Sequence, residues 1–311
     1  MIISKVIRAG IHTSIQDLGR PGFRHQGVPD SGALDAHAHI QANITIGNSI
    51  HSPTLEITGP GLSLEMLNYA KIAIAGADLG ASLNGVPMKK MEIIHVGKND
   101  VLTFGQRSDG YRSYLAIQGG WEGQKKLGSY STHPGTRWGG FEGRVLEKDD
   151  LLSCNKTFTK RKFATDPLDI HFSQSDPIRI FPTQETSLID PQVLIQHRWS
   201  ISPQSNRTGF GLEGPLIHLK VHEEMISAPV DVGTVQLPPS GKPIILMNDG
   251  ASIGGYPRIA QVCQADLPLL AQKHPLESFH FEWISLEEAT RLIVQQKKEI
   301  KALLGDQEYS P

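Results

Sequence analysis

Short apolar runs, each cut off by a turn, fill the stretch from Leu55 to Phe104 and leave little room for anything but strands. Leu55–Ile57, Leu62–Met66, Ile72–Ala75, Ile93–Val96 and Val101–Phe104 are all too short for a stable helix, and Gly, Pro or Asn follows each of them closely. Asp109-Gly110 then reads as a hairpin turn, with Tyr111 to Ile117 as the returning strand. The same texture returns later, at Ile178–Phe181, Trp199–Ile201, Leu216–Leu219, Pro243–Met247 and Phe279–Trp283, after a first strand at Ile2–Ile7. With 31 glycines and 20 prolines among 311 residues, the chain is expected to be mainly β with a few helices.

Three helices stand out. Ser31 to Ile46 reads as one, with Ser31 as N-cap and Asp35 in its first turn. Thr186 to Gln196 reads as a second. The third opens on a capping box of Ser285 and Glu288; Leu286, Ala289, Leu292, Ile293, Ile300, Leu303 and Leu304 recur at helical spacing, and Gly305 supplies the stop.

A faint repeat divides the chain. Leu55-Glu56 with Gly59-Pro60, and Asn84-Gly85-Val86-Pro87, find echoes in Leu212-Glu213 with Gly214-Pro215 and in Ser240-Gly241-Lys242-Pro243, about 155 residues on. The polar, basic segment from Asn155 to Asp169, carrying Lys156, Lys160, Arg161 and Lys162, reads as the connector. The expected domains are therefore 1–160 and 161–311, the second ending in the amphipathic helix.

Charge and motif content exclude several functions. Lys+Arg at 30 against Asp+Glu at 32 argues against nucleic acid or an anionic membrane as the main partner. Neither an apolar run of membrane-spanning length nor a signal-peptide start occurs, so the expected compartment is the cytoplasm. Cys154 and Cys263 are too few for a disulfide framework and lack metal-site spacing. A phosphate-cradling G-x-x-x-x-G-K-[S/T] and a G-x-S-x-G elbow are absent. His37 and His39, two apart on a helix, point to different faces and do not make a metal pair. Met88-Lys89-Lys90-Met91 has one lysine too many for the Met-Lys-Met on which carrier domains display biotin, and reads as an edge-strand lysine pair.

Four Gly-rich polar stretches remain: Gln16 to Asp35, Arg112 to Arg144, Asn206 to Pro215, and Asp249 to Arg258. Each combines glycines with arginine and with acids or hydroxyls. Glycine lets the backbone approach a ligand closely, arginine forks grip carboxylate or phosphate, and a carboxylate can act as base or orienter. Together they point to a composite cleft for an anion or an amide. The apolar run Pro243–Met247 leading into Asn248-Asp249-Gly250 and Gly254-Gly255-Tyr256 is the strand end on which it would be built.

These stretches resemble the family variously called allophanate hydrolase subunit 2, biotin-dependent carboxyltransferase-like proteins and the C subunit of 5-oxoprolinase, the last also known as the antagonist of a sporulation-kinase inhibitor. The likeness runs through Thr13-Ser14-Ile15-Gln16-Asp17-Leu18-Gly19-Arg20, Gly27 to Asp35, Ala42-Asn43 with Gly47-Asn48, Tyr114 to Gly120, Gly139-Gly140-Phe141-Glu142-Gly143-Arg144, Ser205 to Phe210, Gly233 to Pro238 and Gly254-Gly255-Tyr256-Pro257, to about Trp283. It implies two tandem cyclophilin-like β-barrel domains. It also implies a cytoplasmic hetero-oligomer with a kinase-inhibitor-like partner of the 5-oxoprolinase B type, with or without a further component of the A type. The implied activity is that of an ATP-dependent amidohydrolase opening the 5-oxoproline lactam to glutamate. ATP is expected to be held with the partner. One alternative is half of a biotin-dependent carboxyltransferase of the urea carboxylase type, which would bring in biotin; the sequence carries neither a biotinyl domain nor a biotin carboxylase, which ranks it second. Another is a non-catalytic regulator that titrates a kinase-inhibitor-like partner.

On this resemblance Asp17, Asp249 and Arg207 are the expected catalytic residues, with Arg20, Arg144 and Arg207 as anion clamps. Ser31, Asn43, Asn206, Gln236, Gly254, Gly255 and Tyr256 complete the expected substrate-binding set. The chain departs from the family's usual text at Tyr130, where an arginine is common, at Gly211, and at Gly250-Ala251.

Overall fold

The computed structural model describes residues 1–155, 176–221 and 225–304, so the basic connector from Lys156 onward and the stop at Gly305 lie outside the described residues. Chain contacts separate two units. Residues 1–20, 31–155 and 299–304 form the first, and 21–30, 176–221 and 225–298 the second.

In the first unit the strands are β1 (Ile2–Ala9), β2 (His12–Gln16), β3 (Thr54–Thr58), β4 (Leu62–Met66), β5 (Ala70–Asp78), β6 (Ala81–Leu83), β7 (Val86–Pro87), β8 (Ile94–Val96), β9 (Val101–Phe104), β10 (Asp109–Ile117) and β11 (Leu151–Ser153). They make a sheet in the order β11-β1-β4-β9-β6-β7 and another in the order β2-β3-β10-β5-β8. Ile3, Val6, Leu64, Leu102, Ile57, Ile74 and Leu115, drawn from both sheets, share one buried apolar cluster.

The helix α1 (Ala36–Ile46) covers β5 and β10. Ala38 and Ala42 meet Ala73, Ala75 and Ala116, and these small side chains let the helix lie close to the sheet. Its cap is Asp35, whose Oδ1 accepts from Ala38 N at 2.9 Å. Ser31 is not the cap: its φ of 54° puts it in a turn ahead of the helix. Asp109-Gly110 does not form a hairpin turn either. Both belong to β10, whose register against β5 shifts between Asp109 and Ser113, so the turn chemistry there serves an irregularity within a strand.

The second unit contains β12 (Ile178–Phe181), α2 (Gln192–Gln196), β13 (Arg198–Ile201), β14 (Gly209–Glu213), β15 (Ala228–Pro229), β16 (Thr234–Gln236), β17 (Ile244–Leu246), β18 (Ile253–Gly254), β19 (Arg258–Val262), α3 (Leu267–Ala271) and β20 (Ser278–Trp283). Seven of these strands close a barrel in the order β12-β19-β16-β17-β14-β13-β20, while β15 and β18 form a separate ribbon. Ile180, Val235, Ile245, Ile259 and Phe279 are fully buried, one from each of five barrel strands. The mainly β fold expected from the punctuated apolar runs is the one observed.

Two local expectations change here. The helix expected over Thr186–Gln196 is split into a 3-10 turn at Gln184–Leu188 and α2, because Ile189 is extended and Pro191 disfavours helical backbone just before it. Leu216–Leu219 carries no strand hydrogen bonding. The last helix, α4 (Leu286–Leu304), opens as expected, with Glu288 N donating to Ser285 Oγ at 3.1 Å. Ala289 and Leu292 pack with Cys263 and Ile284 in the second unit, and Ile300, Leu303 and Leu304 pack with Ile40 and Ile44 in the first. Among the described residues no helix is long and apolar enough to cross a membrane.

Candidate functional site

In the first unit the loop after β2 is tied to a second loop through one carboxylate. Asp17 Oδ1 accepts from Ser129 Oγ and Ser131 Oγ, both at 2.6 Å, and from Gly19 N at 2.9 Å; Oδ2 accepts from Tyr130 N at 2.6 Å. Four donors fill the lone-pair directions of a carboxylate, so Asp17 acts as a knot. Arg20 belongs to the same knot: its guanidinium donates to Ser131 O and, at 3.4 Å, to Lys126 O. Ser31 sits alongside, since two residues on Ala33 N donates to Asp17 O at 2.8 Å.

Asn43 and Arg144 stand apart from this knot. Asn43 donates to Ser52 O at 2.9 Å and accepts from Asn48 Nδ2 at 3.0 Å, which fastens the end of α1. Arg144 makes a two-pronged pair with Asp150, both contacts at 2.8 Å, and these bonds hold its pKa above the usual arginine value. At Tyr130 the ring lies under a different cation, with Lys125 Nζ 5.4 Å from its centroid.

The second unit brings together more of the expected set. Arg207 Nε donates to Asp249 Oδ2 at 2.9 Å and Nη2 to Oδ1 at 3.3 Å, and Asp249 N returns a bond to Arg207 O at 2.9 Å. Next to it, Asn206 Oδ1 accepts from Thr208 N at 2.8 Å, which shapes the turn into β14. A Cβ at Gly250 would lie 2.8 Å from both Met247 O and Thr208 O, so this departure from the family text is a place where the chain has no space for a side chain.

The loop held by Arg207 and Asp249 runs on into the wall of a cleft of about 690 Å³. Ser252, Ile253, Pro229 and Val230 form that wall, with Val230 N donating to Ser252 O at 3.0 Å. Two arginines enter. Arg24 Nη2 donates to Val230 O at 2.7 Å and to Ala251 O at 3.3 Å, with Asp30 and Asp231 at 3.5 and 3.6 Å. Arg258 is gripped by Glu185 and donates to Pro229 O at 3.2 Å. Arg24 and Arg258 among the lining residues are balanced by Glu185 and Asp231, so the cleft suits a small ligand of low net charge.

Gln236, Gly254 and Arg258 converge beside this cleft. Gln236 faces Arg258 across the β16–β19 ladder, and Gly254 lies directly against the Gln236 carboxamide. Gly255 follows, close to Ser227, and Tyr256 is about half exposed on the surface beyond. Sequence reasoning assigned no role to Arg24, His25, Glu185, Asp231 or Gln261, all of which line the cleft. They come from well-separated stretches, and only the barrel ladder and the turn at 21–30 gather them. Among the described residues no cluster of His, Cys, Asp and Glu could hold a metal ion.

Residues 26–283 fit the family described as "Carboxyltransferase domain, subdomain A and B". A protein of Escherichia coli named as the C subunit of 5-oxoprolinase is 35% identical over 302 residues, covering 96% of this chain and 97% of that one. "Urea amidolyase" of Saccharomyces cerevisiae is 30% identical over 323 residues, covering 95% of this chain but 17% of its own. The crystal structure of Kluyveromyces lactis urea carboxylase superposes with a TM-score of 0.87 at 27% identity, taking in 100% of this chain and 30% of that one. The chain thus spans under a third of these larger relatives.

Proposed function

This chain belongs to the carboxyltransferase domain family, subdomains A and B, and on that premise we propose that it is one component of an ATP-dependent 5-oxoprolinase. In this reading it works with a partner of the B type, with or without one of the A type, to open the lactam of 5-oxoproline to glutamate. The observation that carries the reading is the end-to-end match to the Escherichia coli relative of that name, with 97% of the relative's length covered.

The chain's own residues are suited to binding and orientation. A lactam is a poor electrophile, so its carbonyl must be held and its developing charge stabilised before the ring opens. In the second unit, Arg24 and Arg258 offer guanidinium groups to a carboxylate in a cleft of suitable size for a small molecule. Arg207 and Asp249 position the loop that walls it; Asp17 and Arg20 do the same for their loops in the first unit. Asn206 shapes the turn into β14 in the second unit; in the first unit Asn43 fastens the end of α1, Ser31 lies beside the Asp17 knot, and Arg144 braces its own loop.

The charges lining the cleft are mixed in sign, and the phosphate-cradling glycine loop is absent from the sequence. ATP is therefore assigned to the partner, and its hydrolysis supplies the driving force for ring opening there.

A second reading has its own observation. The TM-score of 0.87 to urea carboxylase over the whole chain favours half of a carboxyltransferase, which also handles a small planar amide. Co-expression with the partner subunits, followed by assay of glutamate released from 5-oxoproline with and without ATP, decides between them. ATP-dependent release supports the first reading. A well-formed complex that releases no glutamate, yet carboxylates urea from a carboxybiotin donor, replaces it with the second.

A further inference from the structure

Ser252 is the hydroxyl in the cleft wall that the fold leaves unused. It lines the cleft and is only 8% exposed, yet among the described residues its Oγ makes no hydrogen bond. Nor is Oγ one of the sealed polar atoms, so the hydroxyl touches solvent on a residue that faces the cleft. A hydroxyl on so buried a residue ordinarily finds a protein partner. Other polar groups lining the cleft are committed elsewhere. Thr234 Oγ1 donates to Gln261 Oε1 at 2.9 Å, Thr183 Oγ1 donates to Arg258 O, and the Glu185 carboxylate accepts from Arg258 Nε at 2.9 Å.

The backbone around Ser252 is pinned at successive residues. Ala251 O accepts from Arg24 Nη2 at 3.3 Å, Ser252 O accepts from Val230 N at 3.0 Å, and Ile253 stands opposite Pro229 in the β15–β18 ribbon. The pair of Arg207 and Asp249 fixes the approach to that stretch. A hydroxyl so mounted needs little further ordering when a ligand takes it up. An apolar surface adjoins it: Pro229, Val230 and Ile253 line the cleft too, and Ile253 is 59% exposed. A hydroxyl donates to a carbonyl oxygen or accepts from an N–H, so it suits either end of an amide. The cleft thus offers Arg258 to a carboxylate, an apolar wall to ring methylenes and a neutral hydroxyl to an amide.

We propose that Ser252 is a substrate-contacting residue whose Oγ pairs with the amide of a ligand in this cleft. The ligand class is a small lactam that bears a carboxylate. This deepens the 5-oxoprolinase reading and rests on it for the identity of the lactam. No bond is made or broken at Ser252. Its role is specificity, because a site that hydrogen-bonds a substrate group rejects the analogue without it.

The test uses the complex with its partner subunits, wild type against Ser252→Ala and Ser252→Cys, the second keeping the volume while weakening the hydrogen bond. Calorimetric titration with 5-oxoproline, and with cyclopentanecarboxylate as the ring acid without the amide, accompanies turnover and melting temperature. Expected in both variants is an affinity for 5-oxoproline about tenfold weaker, with KM raised to match and kcat changed less than KM. Melting temperature should stay close to that of wild type, because Oγ has no partner among the described residues to lose, and cyclopentanecarboxylate should bind wild type and variants alike. Unchanged affinity for 5-oxoproline, an equal loss for cyclopentanecarboxylate, or a melting temperature several degrees lower overturns the proposal; the last would mean that the hydroxyl serves the fold. If the wild-type complex releases glutamate while the variants bind normally, only this inference fails. If it releases none, the 5-oxoprolinase reading fails, and urea replaces 5-oxoproline in the titration. Weaker urea binding by Ser252→Ala then upholds the amide contact, while equal binding, or no binding by wild type, overturns it.

Discussion

Arg207 and Asp249 form a two-pronged ion pair with side chains only 6% and 4% exposed. Removing one partner of such a pair strands the other charge, which typically costs about 3–5 kcal/mol. Asp249→Ala should therefore unfold at markedly lower urea, and Arg207→Met should do likewise. The double variant Arg207→Met/Asp249→Leu should recover much of the loss. Denaturation curves of all three, with KM for the substrate, test the positioning role: activity restored along with stability supports it, and activity lost in a stable double variant assigns the pair to chemistry.

Asp17 invites a graded series, since it gathers its donors from two loops. Ser131→Ala removes one hydroxyl and should cost roughly 1–2 kcal/mol, whereas Asp17→Ala leaves several donors unpaired and should cost about 3–5 kcal/mol. Thermal melts give the order. Equal losses would mean that the loops are held by something other than the carboxylate.

His39 should make the protein acid-sensitive in an unusual window. Burial lowers its pKa from 6.5 to about 4, against the pull of the nearby Asp17 and Glu56 carboxylates. In the folded chain Nε2–H donates to Ile50 O at 2.8 Å and Nδ1 accepts from Thr54 Oγ1 at 2.9 Å, so the neutral ring is the one that fits. The unfolded chain binds the proton first. Stability is thus full above pH 6.5 and is lost progressively as pH falls to about 4, by an amount on the order of 3 kcal/mol. Urea denaturation at steps between those values, with imidazole shifts followed by NMR, checks the slope. A His39 that titrates near 6.5 in the folded protein would refute it.

Glu185 and Arg258 can be separated by a double-mutant cycle. Their coupling, measured by melting of Glu185→Gln, Arg258→Met and the pair, should be about 1–3 kcal/mol. Arg258→Met alone should also raise KM for 5-oxoproline several-fold while leaving kcat nearly unchanged, because the guanidinium is proposed to bind a carboxylate and not to take part in bond making. A fall in kcat without a change in KM would count against the cleft as the binding site.

Much of the architecture was legible because strand length is written locally. The turn after each apolar run between Leu55 and Phe104 stops it, and the capping box at Ser285 announces α4. Errors arose where several residues could do one job. Ser31 and Asp35 are both good caps, and only the turn at Ser31 shows that Asp35 takes the role. Asp109-Gly110 has hairpin chemistry that a strand irregularity uses equally well. The cleft was the least legible part. Arg24 and Arg258 lay in the polar stretches, but Glu185, Asp231 and Gln261 did not, and no local pattern records a ladder partner.

The seam of the second barrel carries a different lesson. β12 pairs with β19 on one edge and with β20 on the other, where Ile178 stands opposite Phe281 and Ile180 opposite Trp283, and β20 also covers one edge of β13. A nascent chain that has not yet emerged through Trp283 therefore presents two unpaired strand edges to its neighbours on the polysome. Closure comes late in synthesis, and these pairings span some of the longest loops the unit has to form, which slows it further. Premature termination ahead of Ser278 should therefore leave the second barrel open at both edges and favour aggregation over closure.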